Sequence, residues 1–296
     1  MRRMILLLVL STLAYALVAM SSYTGVHGVS LPYYMIGLGL GALISSICII
    51  KLAGFSFKHK NMKELAIELS GGLVIALSGL GVYALYTSNT LAGSQPLLGV
   101  SVLIFLAIDF ILFGKILRRK ETLYLLGGVI AVAVGIFVMQ SHGFSFNYSI
   151  LPILVFIMFT QGIGYYLLLY GTSKKSSGIR LLFFPIFIIA YAIPIILLQH
   201  GTTLAHISPF PFLLVLIAGI ALSVAIGLEI IAAIPKKGDS RWNDIIDRNL
   251  VNNFTYMDIL IVLGWSVILG SYTGQEIVGG LVILVGILIL NKLSPK

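Results

Sequence analysis

From Gly72 to Val138 the chain reads GLVIALSGLGVYALYTSNTLAGSQPLLGVSVLIFLAIDFILFGKILRRKETLYLLGGVIAVAVGIFV. An apolar helix runs to a polar break at Thr87-Ser-Asn-Thr-Leu-Ala-Gly-Ser-Gln-Pro96. A second apolar helix runs to a basic turn at Lys115-Ile-Leu-Arg-Arg-Lys120, and a third apolar helix follows. Segments of about 20 residues at 1.5 Å per residue cross a hydrocarbon core of about 30 Å, so the breaks fall where the chain turns in water. One end of this hairpin carries no charge and the other carries four basic residues, which assigns a side to each.

The same reading extends over the whole chain. Of 296 residues, 59% are hydrophobic and only 10% charged, and the mean hydropathy is +1.07, too little polar surface for a soluble globule of this size. Ten segments of about 20 residues leave about ten per connection, room for short loops and a single membrane domain over 1–296. Apolar runs place helices near 4–23, 32–50, 64–87, 95–114, 122–140, 149–171, 181–199, 210–234, 253–270 and 277–292. The start, Met1-Arg-Arg-Met, looks like the basic end of a signal peptide. Removing it would orphan the repeat described next, so it is expected to open helix 1. All 19 lysines and arginines fall in alternate loops, which predicts a multi-pass protein of the inner (plasma) membrane with both termini in the cytoplasm. The net charge of +9 therefore reflects retention beside anionic lipid and not nucleic-acid binding.

Five helices per half require the halves to be inserted upside down relative to each other. They match weakly at an offset near 150: Ser11, Tyr15 and Ser22 with Gln161, Tyr165 and Thr172, each trio on one helical face. Ile75-Ala-Leu-Ser78 equals Ile220-Ala-Leu-Ser223 after a shorter loop, and Gly128 and Gly135 match Gly279 and Gly286. The expected fold is all-α integral membrane, ten transmembrane helices as two inverted five-helix repeats, 1–140 and 149–292.

With this pattern on the page, the chain resembles the drug/metabolite transporter superfamily, EamA-like, as a divergent member. The likeness is carried by Ala84-Leu-Tyr-Thr87, Ala92, Pro96-Leu-Leu and the run through Gly114, Gly128 and Gly135. Two departures mark the divergence. Gly114 is followed by Lys115 where many members have glutamate, and the connection from Pro235 to Asn252 is long, with Trp242, Ile245, Ile246 and Leu250 spaced for a short helix on the inner surface. The resemblance implies a central cavity lined by helices 1–4 and 6–9, with helices 5 and 10 peripheral.

Ionisable groups inside a bilayer are costly and face a cavity or a partner. Glu229, Asp258 and Asp109 stand out, each near the cytoplasmic end of its helix. Two readings stand: a cluster that couples transport to a proton or cation, or binds a substrate amine; or carboxylates that snorkel toward Lys115, Lys236 or Arg248. Glu64 and Glu68, at a helix start, read as dipole and loop partners. For substrate binding the polar candidates are Ser11, Tyr15, Gln161 and Tyr165, joined by Tyr83, Tyr191 and Trp265, whose rings and polar tips can grip a small solute or bond between helices. Tyr33, Tyr34 and Tyr148 read as interfacial anchors. The glycines around Gly39 and Gly79 are spaced for helix packing and lack the strand-and-loop context of a phosphate cradle. The lone Cys48 reads as a core residue, and the scattered histidines lack metal-ligand spacing, so neither cofactor nor metal is expected.

The expected function is a secondary transporter moving a small metabolite or drug-like solute by alternating access, with or without proton coupling, as a monomer or homodimer among membrane lipids. A lipid or lipid-linked flippase on the same fold is the alternative. An integral-membrane enzyme would need more than Asp239, Asp244 and Asp247 offer on the inner loop, so no enzymatic activity is expected.

Overall fold

A computed structural model describes residues 2–58, 62–113, 119–142, 145–169, 177–198, 208–233 and 257–291. Its first half forms α1 (Arg2–Val26), α2 (Leu31–Ala53), α3 (Met62–Ser88), α4 (Leu91–Leu98), a 3-10 turn (Gly99–Ser101), α5 (Val102–Phe113) and α6 (Arg119–Gln140). The second half forms α7 (Ile150–Leu169), α8 (Ser177–Leu198), α9 (Pro209–Ala233), α10 (Asp258–Leu269) and α11 (Gly274–Asn291). Two two-residue strands, β1 (Ser141–His142) and β2 (Ser145–Phe146), pair antiparallel between the halves. Counting α4, the turn and α5 as one crossing, eight helices are long and apolar enough to span a bilayer, and α10 and α11 are shorter apolar helices. The protein is a multi-pass, all-α membrane protein. Large apolar side chains such as Leu17, Phe137 and Ile268 point outward, as a lipid solvent permits.

Helix contacts define two faces. Gly25 of α1 and Gly28 in the turn after it lie against Pro211 of α9 while Ser11 bonds Ala225, so these helices are antiparallel; α2 runs parallel to α9, with Gly41 beside Leu216 and Ser46 bonded to Ser223. The start of α8 meets the end of α2, where the Gly178 N–H donates to the Ser56 carbonyl (3.1 Å). At the opposite end, Thr90 before α4 donates to Glu276 of α11 (2.7 Å). Every lysine and arginine among the described residues lies at the first of these ends, the basic face.

Close helix crossings depend on missing side chains. A Cβ on Gly41 would lie 2.0 Å from the Leu216 carbonyl oxygen, and one on Gly219 would lie 2.0 Å from that of Leu38, so α2 and α9 touch backbone to backbone. Gly128 and Gly135 of α6 lie against Gly286 and Gly279 of α11 in the same manner. That pair stands apart: only 22% of the α6 span is buried, against 71% of the span that begins with α4.

Several sequence expectations change. Cys48, read as a core residue, is exposed on α2. The polar stretch before Pro96 is not a loop: Thr90 caps a helix by accepting from the Gly93 N–H (3.0 Å), and Leu91 through Leu97 are buried. Pro96 then has no N–H for the carbonyl four residues back, and the helix tightens into the 3-10 turn. Glu68 and Arg180 are not solvated. They are 0% and 2% exposed and pair at 3.4 Å between α3 and α8, because Arg180 falls inside α8, which begins at Ser177. Tyr34 is no interfacial anchor; it is 1% exposed and donates to Ser22 Oγ (3.4 Å). The Asp109 side chain, Glu64's side chain, the segment with Trp242, Asp239, Asp244 and Asp247, and Thr172 lie outside the described residues.

Candidate functional site

Because α1 and α9 are antiparallel, Ser11 and Tyr15, one turn apart, face Ala225 and Glu229, also one turn apart. Ser11 Oγ lies 3.2 Å from the Ala225 carbonyl and 3.3 Å from Glu229 Oε1. The Tyr15 hydroxyl donates to Glu229 Oε2 (3.0 Å) and accepts from the Tyr165 hydroxyl of α7 (3.1 Å). A carboxylate 1% exposed is thereby joined by two phenols to a third helix. The rings of Tyr15 and Tyr165 meet edge to face, 6.4 Å between centroids, a favoured aromatic geometry.

A second polar chain faces this one. The Tyr86 hydroxyl of α3 donates to Gln95 Oε1 (3.1 Å), which leaves the Gln95 amide nitrogen to donate to Asp258 Oδ2 (2.6 Å). Asp258 is 6% exposed and is the first residue of α10. Its distance from the far end of that helix, Leu269, is about 16 Å at the helical rise, close to half a hydrocarbon core. The sequence alone put this carboxylate near the cytoplasmic edge.

Between the two chains lies a cavity of about 90 Å³ open to the centres of water-sized molecules. Tyr15, Tyr165 and Gln161 form one wall, Tyr86, Gln95 and Asp258 another, and Tyr34 and Phe184 contribute further rings. Among the described residues no lysine, arginine or histidine lines it.

Of the expected binding residues, Tyr15, Gln161 and Tyr165 line the cavity, and Ser11 stands behind Tyr15 on Glu229. Glu229 is not among the described lining residues and meets the wall of the cavity through Tyr15. Tyr83 donates to the Val29 carbonyl (3.2 Å) and packs on Tyr34 outside the wall; Tyr191 donates to the Leu73 carbonyl (3.3 Å) across α8 and α3. Trp265 is 39% exposed on α10 and does not line the cavity. Sequence reasoning passed over Gln95, Tyr86 and Tyr34. Gln95 was hidden in a polar run with the composition of a loop; the available signal was Thr90, a capping residue five positions ahead of it.

No family model matches the sequence, and no curated protein does. Nineteen chains of solved structures match its fold. One, described only as a crystal structure of a protein, is 15% identical over 98% of this chain and 96% of its own, with a TM-score of 0.62. That likeness speaks for the fold alone.

Proposed function

We propose that the protein is a secondary transporter that moves a small water-soluble metabolite or drug-like solute by alternating access, as a divergent relative of the drug/metabolite transporters, and that it is not an enzyme. The observation that carries this reading is a small cavity between the helices, mostly apolar with a few converging polar groups, walled by side chains from both halves of the chain. In this reading the halves are inverted repeats. In support, residues that match between halves meet in space: Tyr15 bonds Tyr165 at a separation of 150, and Gly39 abuts Ile189 at the same separation. The matched glycines cross over, Gly128 against Gly286 and Gly135 against Gly279, as mates around a two-fold axis do. Rocking of one half on the other about such an axis opens the cavity to each side in turn. The basic face would lie in the cytoplasm, in keeping with its lysines and arginines.

Glu229 is the group best placed to carry a coupling proton, since Tyr15 and Ser11 hold it next to the cavity without exposing it. The test uses proteoliposomes loaded with a solute panel and an imposed proton gradient. Glu229→Gln is expected to lose gradient-driven uptake and to keep solute exchange. Undiminished uptake by that variant would remove Glu229 from coupling. Lipid movement between leaflets with no solute uptake would replace the reading with the flippase.

A further inference from the structure

We propose that Asp258, with Gln95 and Tyr86, forms the recognition point for a small organic monocation, an amine or quaternary ammonium; this rests on the transporter reading and names the substrate class of that cavity.

Charge points to the class. Asp258 lines the cavity from a position 6% exposed, and among the described residues no cationic side chain lines the cavity with it. A lone carboxylate in low dielectric is costly until something positive approaches it, so an occupant bringing its own positive charge gains where a neutral one does not. The local bonds hold Asp258 as an acceptor. Tyr86 donates to the Gln95 oxygen, that amide is therefore turned with its nitrogen toward Asp258 Oδ2, and the carboxylate receives the bond. An acceptor held in this way suits an ammonium donor and opposes an anion.

The walls agree with the charge. Tyr15, Tyr34, Tyr86, Tyr165 and Phe184 surround the space, and aromatic faces attract desolvated cations as well as the apolar groups attached to them. The two carboxylates would then divide their work. Asp258 lies in the wall and meets the solute, and Glu229 lies behind Tyr15, where a proton can reach it through the phenol pair without the solute touching it.

Choline and phenethylamine serve as cationic probes, 3,3-dimethylbutan-1-ol as the uncharged isostere of choline, and glycerol and acetate as neutral and anionic controls. Binding to the purified full chain is read by calorimetry and by ligand-induced shift of the melting temperature, and movement is read in proteoliposomes. The expected result is saturable binding of at least one cationic probe, at least tenfold tighter than the alcohol. That binding should be lost by tenfold or more in Asp258→Asn and largely kept in Asp258→Glu. Equal binding of the alcohol, or an Asp258→Asn variant that binds the cation like the parent, overturns the proposal. In both cases a solute that still moves leaves the transporter reading in place. If glycerol or acetate moves and the cations neither bind nor move, the substrate class is wrong and the transporter reading survives; if nothing in the panel binds or moves while lipid does, both fall. Ligand-free melting of each variant separates loss of binding from loss of fold, and the glutamate variant, which keeps the charge, tells recognition from a helix-start role that asparagine would also fill.

Discussion

Arg180 and Glu68 form a buried ion pair between α3 and α8 in a setting that offers neither one water. Arg180 also donates to the Leu168 carbonyl near the end of α7, so one guanidinium ties three helices at the basic face. Removing one partner strands the other charge, at a cost of about 3–5 kcal/mol. Arg180→Met should therefore lower the melting temperature of the detergent-solubilised protein clearly, and Glu68→Gln/Arg180→Met should recover much of the loss. A single variant that melts with the parent would show that the pair does not hold these helices. The sequence showed Glu68 as a partner for a loop charge, but not that the pair with Arg180 is buried. Glu68 stands near a helix start and Arg180 in a basic stretch, where both types are usually solvated. Only the start of α8 at Ser177 draws Arg180 inward.

At the scale of elements, the spans were legible because uninterrupted apolar runs have little alternative in a bilayer. The fourth span was the exception. Its polar opening, with Ser94 and Gln95, has the composition of a turn, yet Thr90 caps it and each polar side chain finds a partner in the protein interior. Helix crossings follow from glycine. Gly41→Ala would drive a Cβ into the Leu216 carbonyl, so α2 and α9 must separate, with a destabilisation of about 1–3 kcal/mol. Gly127 on α6 has nothing within 4 Å of the added atom, so Gly127→Ala should leave stability unchanged or raise it by less than about 1 kcal/mol. Thermal unfolding of both variants checks this. Equal behaviour would mean that Gly41 does not set the crossing.

For the molecule as a whole, the proposed alternating access would part α4 from α11 on the face away from the described lysines. There Glu276 accepts from the Thr90 hydroxyl (2.7 Å) and the Thr273 N–H (2.6 Å), fastening the two connections together. Thr90→Cys/Glu276→Cys, made with Cys48→Ala to remove the lone native thiol, should lose solute uptake on oxidation and regain it on reduction. Continued uptake by the fully cross-linked protein would rule out opening between these helices.

The sequence by itself determined the multi-pass, all-α character of the chain and the gathering of its basic residues, since hydropathy and basic loops act on each segment independently of its neighbours. It also put Ser11 and Tyr15, and Gln161 and Tyr165, on shared faces, because helical periodicity is local. Only the tertiary structure decided which faces meet: Tyr15 with Glu229 across 214 positions, Gln95 with Asp258 across 163. The reason is physical. A helix apolar on all sides carries no stripe that tells a lipid-facing side from a protein-facing one, so partners are chosen by close glycine contacts and buried hydrogen bonds that form only once the helices have packed.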